Sequence, residues 1–181
     1  MIRFRLPVLV LALVLLAGCG FHLRNRIALP SDLGPVRVVG ASTSYSALVT
    51  SLSRGLQAAG ATLAAPPGED AATAVDAQVA TLRIMSERWG DLPIAVDQFG
   101  RAQEFSLRYA VVFAFTKADG TDLVPQQVVE LSRDYVSPPQ DATGTTTERE
   151  VLAEELRREM AASILRRVDG VVRSSPVNAA P

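Results

Sequence analysis

Residues 105–115 impose the tightest constraint on what this chain can fold into. Phe105, Leu107, Tyr109, Val111, Phe113 and Phe115 occupy every second position there. That period throws all of them to one side of a β-strand, whereas a helix would scatter them around its circumference. The chain therefore has to build a sheet with one greasy face, and something has to cover it. We read these aromatics as core under helices in preference to the lining of a lipid groove. Asp119-Gly120 follows as a hairpin turn, and residues 122–136 return as a partner strand with Val129 and Leu131 on one face. Pro125 has no amide proton to give to a ladder, which puts that end of the partner at an edge or a bulge.

Two amphipathic stretches supply the cover. Ser42, Thr43 and Ser44 offer helix N-caps before a stripe of Tyr45, Leu48, Val49, Leu52, Leu56 and Ala59, closed by Gly60. This predicts a helix of about four turns. Near the other end, Thr147-Glu148-Arg149-Glu150 has the spacing of a capping box. The helix it opens carries Leu152, Leu156, Met160, Ile164 and Val168 at helical spacing, with Glu154 four residues before Arg158. Arg166 and Arg167 are expected in its last turn, with Gly170 as its cap.

The remaining segments are shorter. Residues 35–40 read as a strand ended by Gly40, residues 64–74, including Glu69-Asp70, as a solvent-facing loop, and residues 137–146 as another loop. Val75, Ala77 and Val79 share one face while Leu82 and Ile84 have the opposite parity. Either a bulge lies near Thr81 or both faces are covered there. Trp89, beside Gly90-Asp91-Leu92-Pro93, falls in or near a turn, as an interface anchor or a core-edge residue. The element order is β-α-β-β-β-α. It predicts an α+β two-layer sandwich, a four-stranded, mostly antiparallel sheet covered by two helices.

The N-terminus speaks about location. Arg3 and Arg5 precede an apolar run from Val8 to Leu16, and Leu16-Ala17-Gly18 leads into Cys19, the single cysteine. A short apolar run before small residues is a secretion leader, too short for a bilayer that needs about 20 residues. Small residues directly before a cysteine fit bacterial lipoprotein processing, so residues 1–18 are expected to be removed and Cys19 to carry diacylglyceryl and N-acyl groups. Three acyl chains make a durable membrane anchor. Residues 19–34 then form a lipidated arm, 35–171 one domain, and 172–181 a disordered tail.

The 18 Lys and Arg against 19 Asp and Glu lose Arg3 and Arg5 with the leader, leaving a mildly acidic chain without the basic excess that grips nucleic acid. With Cys19 acylated there is no thiol for a disulfide, and one histidine, His22, cannot build a Ser-His-Asp set or a metal cluster. The expectation is therefore no enzyme, no catalytic residue, no metal and no cofactor beyond the covalent lipid. The runs Arg157-Arg158 and Arg166-Arg167 read as a solvated face.

Three runs carry a resemblance. Cys19-Gly20-Phe21-His22-Leu23-Arg24 is followed by Leu29-Pro30; Glu104-Phe105-Ser106-Leu107-Arg108-Tyr109 opens the strong strand and Leu131-Ser132-Arg133-Asp134-Tyr135 ends its partner; Ile164-Leu165-Arg166-Arg167-Val168 closes the last helix. Together they resemble the lipopolysaccharide-assembly lipoproteins of the LptE family, over nearly the whole chain after Cys19. The resemblance implies a non-catalytic protein that plugs the LptD β-barrel of the outer membrane and helps place lipopolysaccharide in the outer leaflet. It implies contacts of the arm through Phe21, His22 and Arg24. Gly20 after the acylated cysteine implies release to the outer membrane. The family's lipopolysaccharide-binding cations lie near the loop before the hairpin and the start of the last helix, where this chain has Arg101 and Arg149; Arg133 is a further candidate. The rival reading is a stand-alone lipoprotein that carries a hydrophobic ligand, which would need a large apolar cavity.

Overall fold

The computed structural model describes residues 27, 29–30, 33–41, 46–65, 78–137 and 142–174. Expectations for Cys19, Phe21, His22, Arg24, Ser42 to Tyr45, Glu69, Asp70, Val75 and Ala77 lie outside these residues. The elements are β1 (Val36–Val39), α1 (Ala47–Ala58), β2 (Ala80–Val96), β3 (Ala102–Thr116), β4 (Asp122–Val136) and α2 (Ala142–Ser174). They form one four-stranded sheet in the order β1-β2-β3-β4. β2, β3 and β4 are antiparallel neighbours, and β1 runs parallel to β2. A parallel neighbour needs a long return path, and α1 lies on it. The expected α+β sandwich is the one found.

β3 is the middle of the sheet, and Leu107, Tyr109, Val111, Phe113 and Phe115 are all fully buried. Both helices lie on that face. α1 buries Leu48, Leu52 and Leu56, and α2 buries Leu156, Met160, Ile164, Val168 and Val172. Ser46 caps α1, its hydroxyl oxygen accepting from Val49 N–H at 3.1 Å. The cap is thus Ser46 and not Ser42, Thr43 or Ser44. At the other end Gly60 takes φ +96°, which lets Gly60 and Ala61 N–H turn back to the Gln57 and Leu56 carbonyls at 2.9 and 3.0 Å. Those two bonds satisfy carbonyls the helix end would leave orphaned.

The flanking strands adjust to β3 with bulges. β2 pairs Ile84 with Phe113 and then Ser86 with Val112, so Met85 is an extra residue. Ahead of it Ala80, Leu82 and Ile84 face the helices; beyond it Glu87, Trp89, Asp91 and Pro93 pair with β3's buried-face residues. The bulge expected near Thr81 is not there: the strand begins at Ala80, Thr81 to Ile84 pair with β3 without a shift, and the first bulge lies further on, at Met85. β4 accommodates Pro125 at an edge and in a bulge at once: Phe113 pairs Gln127 and Phe115 pairs Val124, leaving an extra residue between.

Three boundaries differ from the sequence reading. β2 continues through Trp89, Gly90 and Pro93, where the sequence predicts a turn. Because β1 pairs β2 only as far as Arg83, that half of β2 is a free edge among the described residues, where a missing donor and a bare glycine cost little. α2 starts at Ala142, so the loop is shorter than 137–146 and Thr147 is interior rather than a cap. A run of threonines and a glycine is a poor helix signal, but propagation from a packed helix is cheap once nucleated. α2 also passes Gly170 and ends at Ser174, placing Arg173, not Arg166 or Arg167, in the last turn. Burying Val172 offsets the roughly 1 kcal/mol that an interior glycine costs.

The two helices touch where Gly55 of α1 meets Leu165 of α2; a Cβ added at Gly55 would run into Leu165 Cδ1. Gly55→Val is expected to destabilise the fold by about 1–3 kcal/mol through overpacking, with part of the loss restored by Leu165→Ala in the same chain, as read from urea unfolding of a double-mutant cycle. Phe113→Asp or Leu156→Asp is expected to abolish folding, seen as loss of the cooperative circular-dichroism transition.

Candidate functional site

Beyond the Met85 bulge, the sheet's helix-side face turns polar and aromatic. Trp89 on β2 stacks on its cross-strand partner Tyr109, ring centroids 3.8 Å apart and planes within 10°. The Tyr109 hydroxyl donates to Glu87 at 2.7 Å, and the Arg157 guanidinium lies 5.1 Å from the Trp89 ring centroid. Burial, and then the bond to Glu87, pushes the Tyr109 hydroxyl well above its ordinary pKa, so it stays protonated and donating. Trp89 is therefore a half-buried residue at the edge of the core, joining β2, β3 and α2.

One step along the strands, Asp91 holds a second junction. Arg149 of α2 donates to its two oxygens at 3.0 and 2.8 Å, and the Tyr135 hydroxyl of β4 donates to it at 3.1 Å. The Arg149 bond, ahead of the opposing effect of burial, lowers the Asp91 pKa; the same bond raises that of Arg149. Phe105 stacks on Tyr135 beside it, centroids 5.6 Å apart. Three elements that are remote in sequence are thereby tied to one end of α2.

The three candidate cations each stand beside carboxylates. Arg149 pairs with Asp91. Arg133 reaches Glu159 and Glu155 on α2 and donates to the Ser132 carbonyl at 3.0 Å. Asp91, Leu107 and Arg133 form one row across β2, β3 and β4, so Arg133 and Arg149 share a region. Arg101 does not join them. It sits in the β2–β3 turn, six residues beyond Leu107, roughly 20 Å away at the usual strand rise. There Arg101 Nε donates to Asp97 at 2.7 Å and its guanidinium lies 5.3 Å from the ring centroid of Phe99, which is 72% exposed. Asp97 also accepts from the Phe99 and Arg101 amides, and these amide bonds, led by that of Arg101, lower its pKa. Of the helix arginines, Arg157 covers Trp89 and Arg167 donates to Gln127 at 3.0 Å, while Arg158 and Arg166 stay on the outer, exposed side.

Sequence reading missed Glu87, Asp91 and Tyr135 as partners. The signal was present in the odd-numbered run Glu87, Trp89, Asp91, Pro93, in phase with Tyr109 once the Met85 bulge is known. A cleft of about 430 Å³ lies elsewhere, at the rim between Leu29, Leu33, Pro35 and the α1 end at Ala59 to Ala61. Among the described residues no cluster of His, Cys, Asp and Glu is placed to hold a metal, and no helix is long and apolar enough to cross a membrane.

The sequence profile of LptE, described as lipopolysaccharide assembly, matches residues 33–168. The chain belongs to the LptE family. It is 30% identical over 168 residues to the LPS-assembly lipoprotein LptE of Yersinia pestis, covering 92% of this chain and 76% of that one. To the protein of the same description from Photorhabdus laumondii it is 27% identical over 168 residues, covering 92% and 86%. Two solved structures share the fold. The lipoprotein B of Nitrosomonas europaea superposes with a TM-score of 0.64 at 20% identity, covering 88% of this chain and 97% of that one. The rare lipoprotein B of Shewanella oneidensis does so with 0.58 at 22%, covering 79% and 97%. The LptE profile ends at Val168, inside α2, whose last buried residue here is Val172.

The Asp91–Arg149 pair makes a pH-dependent contribution with a definite sign. A carboxylate whose pKa is lowered by folding adds stability above its unfolded value, near 3.9, and loses it as pH falls through the lowered value. A double-mutant cycle of Asp91→Asn and Arg149→Gln is expected to give a coupling of about 0.2–1 kcal/mol at neutral pH, because the pair is partly exposed. As pH is lowered from about 3.9 through the lowered Asp91 value, the coupling should shrink toward zero.

Proposed function

We propose that this protein is a non-catalytic lipoprotein of the outer membrane, acylated on Cys19, that plugs and braces an LptD-type β-barrel and assists the insertion of lipopolysaccharide into the outer leaflet. The observation that carries the reading is membership of a lipopolysaccharide-assembly family over residues 33–168, in a chain whose leader ends in Leu16-Ala17-Gly18-Cys19. In this reading residues 1–18 are cleaved and residues 19–34 are the lipidated arm, with Phe21, His22 and Arg24 against the barrel. The folded domain acts by occupying the lumen.

Arg101, Arg133 and Arg149 are the cations assigned to lipopolysaccharide, through bidentate pairing of guanidinium with headgroup phosphate. Each already pairs with a carboxylate, so a phosphate would have to exchange with Asp97, Glu159 or Asp91. Arg101 is the most accessible, with 55% of its side chain exposed. A carrier of a hydrophobic ligand is less well supported, since the helices lie directly on the fully buried β3 side chains and the rim cleft is bordered by main chain at Gly34 and Gly60.

A tagged chain solubilised from outer membranes in mild detergent should bring down a β-barrel protein; recovery as a free monomer refutes the reading. Joint charge reversal, Arg101→Glu with Arg133→Glu, is expected to weaken lipopolysaccharide binding while barrel recovery persists. Cys19→Ala should abolish acylation and membrane attachment, measured by mass spectrometry and fractionation.

A further inference from the structure

Among the described residues the helices cover one face of the sheet and leave the other bare. Strand register assigns that bare face residue by residue: Arg83 with Ala114; Ser86 with Val112 and Val128; Arg88 with Ala110 and Glu130; Gly90 with Arg108 and Ser132; Leu92 with Ser106 and Asp134. Of the large apolar side chains that are strongly exposed, Leu92, Val96, Val128 and Val136 lie on this face by register, and Met85 and Ile94 sit at its bulges. Apolar side chains gathered on one uncovered face mark a surface that another molecule covers. On β3 this face reads Ser106, Arg108, Ala110, Val112 and Ala114, and on β2 a Cβ built on Gly90, the partner of Arg108, meets nothing within 4 Å. The small side chains at Gly90, Ala110 and Ala114 leave shallow places between Arg108 and Val112.

Charge on the face is divided. Arg83 and Arg88 on β2 are exposed, whereas Asp122, Glu130 and Asp134 are exposed charges on β4, with Arg108 of β3 3.7 Å from Glu130. A partner that matches this face presents carboxylates opposite β2 and aliphatic surface beside Leu92 and Val128. Such pairing steers docking and fixes its register more than it adds raw affinity.

Resting on the plug reading above, we propose that the helix-free face of the sheet is the one that seats against the inner wall of the barrel, with Arg83 and Arg88 facing wall carboxylates. The outer side of α2 then faces away from that charged contact. Two pairs of variants of the full acylated chain test this. Arg83→Glu with Arg88→Glu is compared with Arg158→Glu with Arg166→Glu, on the outer side of α2. Gly90→Trp is compared with Gly170→Trp, both glycines having open space around them and neither needing a positive φ. Each is checked for an unchanged thermal transition, and the readout is barrel protein recovered with the tagged chain at low and at raised salt.

The sheet-face variants are expected to lower recovery about tenfold, with a loss of salt dependence for the arginine pair, while the helix variants recover wild-type amounts. A photo-crosslinking residue at Ala110 should label the barrel and one at Ala162 should not. Undiminished recovery by both sheet-face variants, or crosslinking from Ala162 alone, overturns the inference and leaves the plug reading standing. Full barrel recovery with a fall in lipopolysaccharide binding also overturns it, in favour of a lipid site on this face. A wild-type chain that recovers no barrel overturns the plug reading and this inference with it.

Discussion

The structure depends on burying one side of β3. Five side chains from Leu107 to Phe115 lose all contact with solvent, and everything else is placed so that this happens. β3 has to be central, since both its neighbours must extend the apolar floor. Two helices have to share the roof, and their spacing is set by a glycine in one meeting a leucine in the other. At about 1.5–3 kcal/mol for each large apolar side chain removed from water, this face outweighs any ion pair on the surface.

That dominance explains which parts of the architecture can be read from residues and which cannot. The period-two run in β3 and the apolar stripes of the helices are strong, redundant signals, each repeated over several turns or strand pairs, and both survive intact. Strand and helix ends are set by weaker forces. Ser46 wins the cap over three earlier hydroxyl-bearing residues because the helix begins where Leu48 and Val49 must reach the core. Gly170 fails to stop α2 because Val172 still finds an apolar seat. The phase of β2 is the clearest case: a single bulged residue, Met85, exchanges its two faces, and nothing local in the sequence announces it. Without that phase, Glu87 and Asp91 look like solvated charges, and Trp89 looks like part of a turn.

The candidate cations illustrate a similar limit. Sequence shows where arginines are but not what already holds them. Arg133 and Arg149 come near one another only because β2, β3 and β4 align Asp91, Leu107 and Arg133 in a row, and that alignment needs the bulge. Arg101 is apart from both, at the end of the β2–β3 hairpin. The pairings with Asp97, Glu159 and Asp91 mean that any phosphate competing for these groups displaces a carboxylate rather than filling an empty place.

The short reach of β1 has its own consequence. Among the described residues nothing pairs with the margin of β2 beyond Arg83, nor with the far margin of the sheet, β4. Each is interrupted by a proline and an irregular pairing, Pro93 beside Ile94 on one side and Pro125 on the other. An imino residue gives no hydrogen to an incoming strand, and a kinked border offers no straight template. On β4 these devices guard only the start of the strand: from Gln127 to Val136 it pairs with β3 without a shift, and that regular margin is where another extended segment could add to the sheet.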